Sequence, residues 1–445
     1  MSGSILGFIL GLLITLFTGY FAVSVIEREM ELRFRLLFAI PLGFGINSIL
    51  YFLFLCFNFN TFEYFKWFEL AVAVVLALMY YNEEKPDLSK HKFRKLSNWF
   101  YLLNLYAVLI YLKYFINNPM GSWDGFRIWN IKAEFLFQNN PLWQNVFSLP
   151  HFMSHNDYPM MIPAVTARLW SYTGVENYAI NATIGLFFTF GLVYLLYQAL
   201  TYFKSEKVAI AVTSVFMILD IFLVNGAAQC ADIPLAYMYL AAIVSLFLYF
   251  RKEKFSYIVL SLIFAALSAW TKNEGLLFFA IYLVTILGYF LSAKKFKKAG
   301  LTVLTAVVPI VLIVMYKYMS HAANDLIAGF VALKTYNFAL DFSRYVVIIK
   351  TFIKMFLLRF PLLIVLVLLC IKGFKIKENN KIPFILSVVV FVLSTIGYFM
   401  VYLFSPHDIN WLVQNSMDRL MLQLLPLFLF LFAINLRIGK PDSVN

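Results

Sequence analysis

This chain is short of charge. Only 13% of its 445 residues are Asp, Glu, Lys or Arg, while 62% are hydrophobic; a soluble domain carries about 25% charged and about 45–50% apolar residues. A soluble globular protein is thereby excluded, and the mean hydropathy of +0.80 marks a polytopic membrane protein. Cysteine is scarce too. Cys56, Cys230 and Cys370 lie far apart in or beside apolar runs, which argues against a disulfide framework or a metal cluster. With 19 glycines and 14 prolines the chain is not fibrous, and it has no repeat at a period of about 20–50 residues. Acids are outnumbered by bases, giving a net charge of +13. In a soluble protein that excess would suggest nucleic acid. Here it reads as Lys and Arg in cytoplasmic loops, and no nucleic-acid partner is expected. The N-terminus lacks a basic leader and a small-residue cleavage site, so the first apolar run reads as a retained helix.

What is present is a series of long apolar runs. A crossing helix needs about 20 apolar residues. Runs at 4–26, 36–57, 64–81, 98–116, 178–200, 208–224, 231–250, 256–271, 275–292, 300–318, 348–371, 382–404 and 418–436 predict an all-α fold with about thirteen crossings. Basic clusters at 27–35, 85–95, 204–207, 251–254, 294–298 and 372–381, with Arg437 and Lys440, hold about 23 of the 36 lysines and arginines and fall on one side. That side is expected to be the cytoplasm, with the N-terminus outside and the C-terminus inside a bacterial inner membrane. The assignment requires that 158–176 not cross. Short, amphipathic and carrying Pro159, Pro163 and Arg168, it is expected to be an interfacial or re-entrant piece of a large outer loop, 117–177. Three segments follow: 1–97, with N-terminal helices and a cytoplasmic linker; 98–318, a catalytic core with that loop; and 319–445, with outer loops 319–343 and 405–417.

Five polar clusters converge on the outer side of this topology: Trp123-Asp124 to Lys132, Ser154 to Pro163, Asn225 to Ala236, Trp270 to Leu276, and Ser405 to Leu420. Each has a plainer reading. Asp124 could be a solvated loop carboxylate, and Asp232 an acidic helix cap before Pro234. Lys272 could snorkel beside Glu274 in a tight turn, and Asp418–Arg419 could be a local ion pair. His407 and Asp408 could be ordinary loop residues. Asp220 is the clearest acid inside a span. Their meeting on one face nevertheless suggests a site at the outer membrane surface.

Outside a bacterial cell no nucleotide pool exists, so an activated sugar must arrive on a lipid. Such a donor needs a carboxylate to take the acceptor's proton, cations to hold the leaving phosphate, and an apolar groove for the tail. Asp124 suits the first role. Lys272, Arg419, Arg127 and Lys132 are candidates for the second, joined by Lys350, Lys354 and Arg359 in an unusually cationic outer segment. Trp123, Trp129 and Trp411 could stack on sugar. His155, Asp157, Tyr158, Asp232, Glu274, His407 and Asp408 complete the candidate substrate site.

"WDGFRIWNIKA", "HNDYPMMIP", "ADIPLA" and "TKNEG" resemble the GT-C superfamily of integral membrane glycosyltransferases. The likeness is greatest to bacterial relatives of protein O-mannosyltransferases and lipid A aminoarabinose transferases, over about residues 98–436. The resemblance implies that Asp124 is the catalytic base, that transfer inverts the anomeric carbon, and that short amphipathic helices sit in the outer loop. Two departures stand out. Three spans precede the one leading into the loop, and Gly125, rather than a second acid, follows Asp124. A tightly bound divalent metal is therefore not implied, nor is any other cofactor. The expected partners are a polyprenyl-phosphate sugar donor, a glycan, lipid or protein acceptor, and membrane lipids. The competing readings are a polysaccharide polymerase or ligase of the O-antigen type and a lipid-linked glycan flippase or transporter.

Overall fold

A computed structural model of the chain describes residues 2–57, 61–81, 98–137, 142–149, 155–321, 335–359 and 376–436. The basic stretch at 85–95, His151, Ser154, Cys370, Arg437 and Lys440 lie outside the described residues. Those described form helices and no strand. Among them nine helices are long and apolar enough to cross a membrane, or ten if one bent pair counts as a single span.

The helices are α1 (Ser2–Ile26), α2 (Leu32–Cys56), α3 (Phe62–Tyr81), α4 (Asn98–Asn117), α5 (Ile131–Leu136), α6 (Met161–Thr173), α7 (Tyr178–Phe203), α8 (Glu206–Met217) and α9 (Asp220–Ala227). They continue as α10 (Asp232–Lys252), α11 (Ser256–Thr271), α12 (Asn273–Ser292), α13 (Phe296–Ser320), α14 (Phe342–Arg359), α15 (Lys381–Phe404) and α16 (Ile409–Ala433). The helix α10 is the centre of the bundle: 94% of its most apolar stretch is buried in protein, with α7, α11 and α16 packed around it. Several starts follow from the sequence. Asn177, Ser205 and Asp408 each accept a backbone N–H of the first turn they precede, satisfying donors that the helix cannot. Gly174, at φ 74°, closes α6 in the left-handed conformation.

Side-chain contacts define the two ends of the bundle. At one, Lys272 between α11 and α12 meets Asp232 at the start of α10, and Lys317 near the end of α13 reaches the backbone of Asp157. At the other, Lys254 between α10 and α11 pairs with Glu29 just after α1, at 2.5 Å.

Three expectations need correction. Residues 161–172 are not an interfacial surface helix: α6 is buried along its length, against α1, α2, α5 and α7. Its charge is absorbed internally, because Arg168 makes a two-pronged ion pair with Glu69 of α3 at 2.6 and 2.8 Å. Asp220 is not a buried acid. The span expected at 208–224 breaks into α8 and α9 with a bend of 68°, and Asp220 is exposed at the start of α9. Finally, 409–417 is helix rather than loop, since Asp408 caps α16.

Candidate functional site

The connection between α4 and α7 returns repeatedly to the start of α10. Gly121 has φ +80°, and Ser122 N–H donates to the Ala228 carbonyl at 3.0 Å. A Cβ on Gly121 or Gly125 would collide with that same oxygen. Both glycines are therefore required by close backbone approach. Asp124 follows, and after it the chain makes a π-helical turn, Gly125–Asn130, a rare conformation frequent at functional sites. Asn130, one turn on, is held by amide hydrogen bonds with Gln229 and Asn181, both at 2.8 Å.

Asp124 forms an ion pair with Arg419 of α16. Arg419 also lies 4.0 Å from Asp232, and Asp232 accepts from Lys272 at 3.0 Å and from the Gln423 amide at 2.6 Å. Lys272 in turn reaches Glu274 at 2.8 Å. Acids and bases thus alternate in one chain from Asp124 to Glu274, across four separate segments. Exposure is greatest at the Asp124 end. The Asp124 and Arg419 side chains are each 25% exposed, while Asp232 is 2% and Lys272 8% exposed. Burial alone would lower the Lys272 pKa, but Asp232 and Glu274 outweigh it and hold the ammonium charged. Asp232 is the first residue of α10, and its carboxylate accepts from the Lys272 and Gln423 side chains. Its side chain is part of the ionic chain.

A second layer supports this one. Every carbonyl in the turn His155–Tyr158 accepts a side-chain donor. Lys132 Nζ binds the His155 and Tyr158 oxygens at 2.6 and 3.3 Å, the Tyr316 hydroxyl those of Asn156 and Tyr158, and Lys317 Nζ that of Asp157 at 2.6 Å. The Asp157 carboxylate accepts from Asn273, beside Lys272. The Tyr158 ring stacks on His155 and Trp129, with Lys272 Nζ 5.7 Å from its centroid. His155 sits at φ 41°, a left-handed position for a non-glycine residue, held by these four donors' ties. Burial pushes the Lys132 ammonium down to about 7; Asp157 opposes this and Lys317 adds to it.

The structure thus brings together Asp124, Trp129, Lys132, His155, Asp157, Tyr158, Asp232, Lys272, Glu274 and Arg419. Trp123 and Arg127 flank Asp124. Trp123 is exposed, and Arg127, with its guanidinium over Phe126, has no ion pair among the described residues. Trp411 is exposed, with its ring 6.0 Å from that of His407. Asp408 caps α16, its Oδ1 accepting the Trp411 N–H. Lys350 and Lys354 are exposed on α14 and make no contact with the ionic chain. The side chain of Arg359 lies outside the described residues. Lys132 and Lys272 are committed to internal partners, whereas Arg419 and Arg127 are partly exposed. Among the described residues no three His, Cys, Asp or Glu side chains converge as metal ligands.

Sequence reasoning passed over Gln423, Asn273, Lys317 and the buried pair Tyr239–Tyr398. Gln423 was findable, lying one turn after Arg419 and sharing its helix face. Through Gln423, whose amide oxygen accepts from Tyr398 at 2.7 Å, the ionic chain adjoins an apolar groove of about 410 Å³ between α14, α15 and α16. Ile349, Phe352, Phe399, Tyr402, Leu420 and Leu424 are among its walls.

Comparison of the chain with protein-family models, curated proteins and solved structures finds no match in any of the three.

Proposed function

We propose that this is a membrane glycosyltransferase of the GT-C type, moving a sugar from a polyprenyl-phosphate carrier to an acceptor hydroxyl at the extracytoplasmic face. The observation that carries this reading is the juxtaposition of an ionic chain with an apolar groove. Leu420 and Leu424 in the groove wall flank Arg419 and Gln423 on α16, so a lipid tail in the groove would deliver its phosphate to Arg419. Arg127 is the second cation free to meet it, and guanidinium groups bind phosphate in two-pronged fashion.

In this mechanism the acceptor hydroxyl attacks the anomeric carbon, and the bond from that carbon to the phosphate oxygen breaks with inversion. The carrier phosphate leaves with the electron pair, and the hydroxyl proton passes to Asp124. Exposure selects Asp124 for this role. Asp232 and Asp157 are both buried, at 1% and 2%; Asp232 Oδ1 accepts from Lys272 and Gln423, and Asp157 Oδ2 accepts from Asn273. Asp124 is open enough for an acceptor, and an arriving phosphate would compete with it for Arg419 and release it. Exposed Trp123 and Trp411 suit sugar stacking.

The same reading sets the topology. Besides the nine long apolar helices, α3, the bent α8–α9 pair, α11 and α14 also cross. This gives thirteen passages, an outer N-terminus and an ionic chain on the outer side. Lys204, Arg251, Lys252 and Lys377 then face the cytoplasm, in keeping with the usual bias of basic residues.

The test is transfer from a polyprenyl-linked sugar by the purified protein in lipid. Asp124→Asn keeps shape and removes the base, so the rate should fall about 10²–10⁴-fold with donor binding retained. Near-normal transfer by Asp124→Asn would end the assignment, and use of a nucleotide sugar alone would end the reading of the donor.

A further inference from the structure

Far from the ionic chain lies a second polar cavity. The helix α10 runs from Asp232 to Lys252, so Arg251 is separated from Asp232 by about 28 Å at about 1.5 Å per residue. Around Arg251, at that other end of the bundle, is a cavity of about 350 Å³. Lys204, which follows α7, and Lys377, which precedes α15, line it together with Asn379 and Asn380. One wall is Tyr202, whose ring lies 6.0 Å from the Arg251 guanidinium and 5.1 Å from that of Arg33.

Three cations thus share one cavity. No carboxylate pairs with Lys204, Arg251 or Lys377 among the described residues. The one acid in the wall, Glu378, is turned to Lys381 at 3.4 Å. Burial depresses the Lys204 pKa, and the nearby charge of Lys377 depresses it further. The helix dipole accounts for Arg251, in the last turn of α10, but it opposes Lys377, which stands before a helix N-terminus. A membrane-surface bias toward basic residues explains the sign of these charges but not their gathering into a cavity. An anion between them would relieve both the mutual repulsion and the unfavourable dipole.

We propose that this cavity is a binding site for a phosphate or diphosphate group, distinct from the candidate transferase site and independent of its chemistry. The volume matches about twelve waters at about 30 Å³ each, enough for a diphosphate and the first atoms of its ester. Lys204, Arg251 and Lys377 supply the charge, and the Asn379 and Asn380 amides supply neutral donors. The phosphate could belong to an anionic lipid headgroup or to a soluble ester.

Thermal unfolding of the full chain, followed by tryptophan fluorescence in phosphatidylcholine nanodiscs, separates the two sources. One arm adds inorganic pyrophosphate; the other replaces part of the phosphatidylcholine with phosphatidic acid. At least one addition should raise the melting temperature. Pyrophosphate alone acting identifies a soluble ester, and phosphatidic acid alone identifies a lipid headgroup. Lys204→Gln/Arg251→Gln/Lys377→Gln should lose the shift, with half-saturation displaced about tenfold or more for each contact removed. Lys294→Gln/Lys295→Gln/Lys297→Gln, three exposed lysines on the same end, should keep it. With no ligand added, Lys377→Gln alone should raise the melting temperature by relieving Lys204. The proposal is overturned if neither addition shifts wild type, if the first triple variant keeps the shift, if the second loses it equally, or if Lys377→Gln lowers the unliganded melting temperature.

Discussion

Lys272 and Arg419 are both cations in one ionic chain, yet their loss should have very different consequences for folding. In Lys272→Met, Asp232 and Glu274 lose their shared ammonium while remaining 2% and 15% exposed. Removing one member of a buried ion pair costs about 3–5 kcal/mol. Asp232 keeps the Gln423 amide at 2.6 Å and Arg419 at 4.0 Å, which places the cost near the lower bound, about 3 kcal/mol. In Arg419→Met the principal partner lost is Asp124. That pair is 25% exposed on both sides, where solvent screening leaves about 0.2–1 kcal/mol. The difference of about 2 kcal/mol is about 30-fold in the unfolding constant. Equilibrium unfolding in mixed micelles of rising SDS fraction, read by tryptophan fluorescence, measures it. Asp232→Asn in the Lys272→Met background should recover part of the loss, because it removes a charge that the first change stranded. Equal costs for Lys272→Met and Arg419→Met would refute the effect of burial on these two pairs.

Other expectations follow from the same contacts. Gly125→Ala places a methyl group against the Ala228 carbonyl and should cost about 1–3 kcal/mol while displacing Asp124; unchanged melting and unchanged transfer together would refute the close approach. Glu69→Gln strands Arg168 in a fully buried position and should cost about 3–5 kcal/mol, with Glu69→Leu/Arg168→Leu less damaging than either single change in the same unfolding assay. Lys132 has a folded pKa lowered to about 7 from 10.5. The unfolded state therefore binds more protons between those values, and stability rises with pH across that window by up to about 1.4 kcal/mol per unit. Lys132→Met should flatten that rise, and a variant that retains wild-type pH dependence would show that Lys132 is not the group responsible.

The sequence by itself determined the class of protein and the material of its elements. Apolar runs and a deficit of charge are local properties, and they suffice to make long membrane helices. Local chemistry also explains the Lys272 turn between α11 and α12, where the chain makes its expected tight reversal. It did not reveal that Asp408 caps α16, although the signal was there, because the residues around it read equally well as loop. It singled out acids and bases around Asp232 but not which of them would meet. Asp232 meets Lys272, 40 positions later, and Gln423, 191 later. Asp124 and Arg419 stand 295 positions apart, and no periodicity encodes such a pairing. The close approach of Gly121 and Gly125 depends on the Ala228 carbonyl, and the buried charge of α6 depends on Glu69 answering Arg168. Charges in an apolar bundle are stable only where a partner meets them, and only the packing of the helices decides which partners meet.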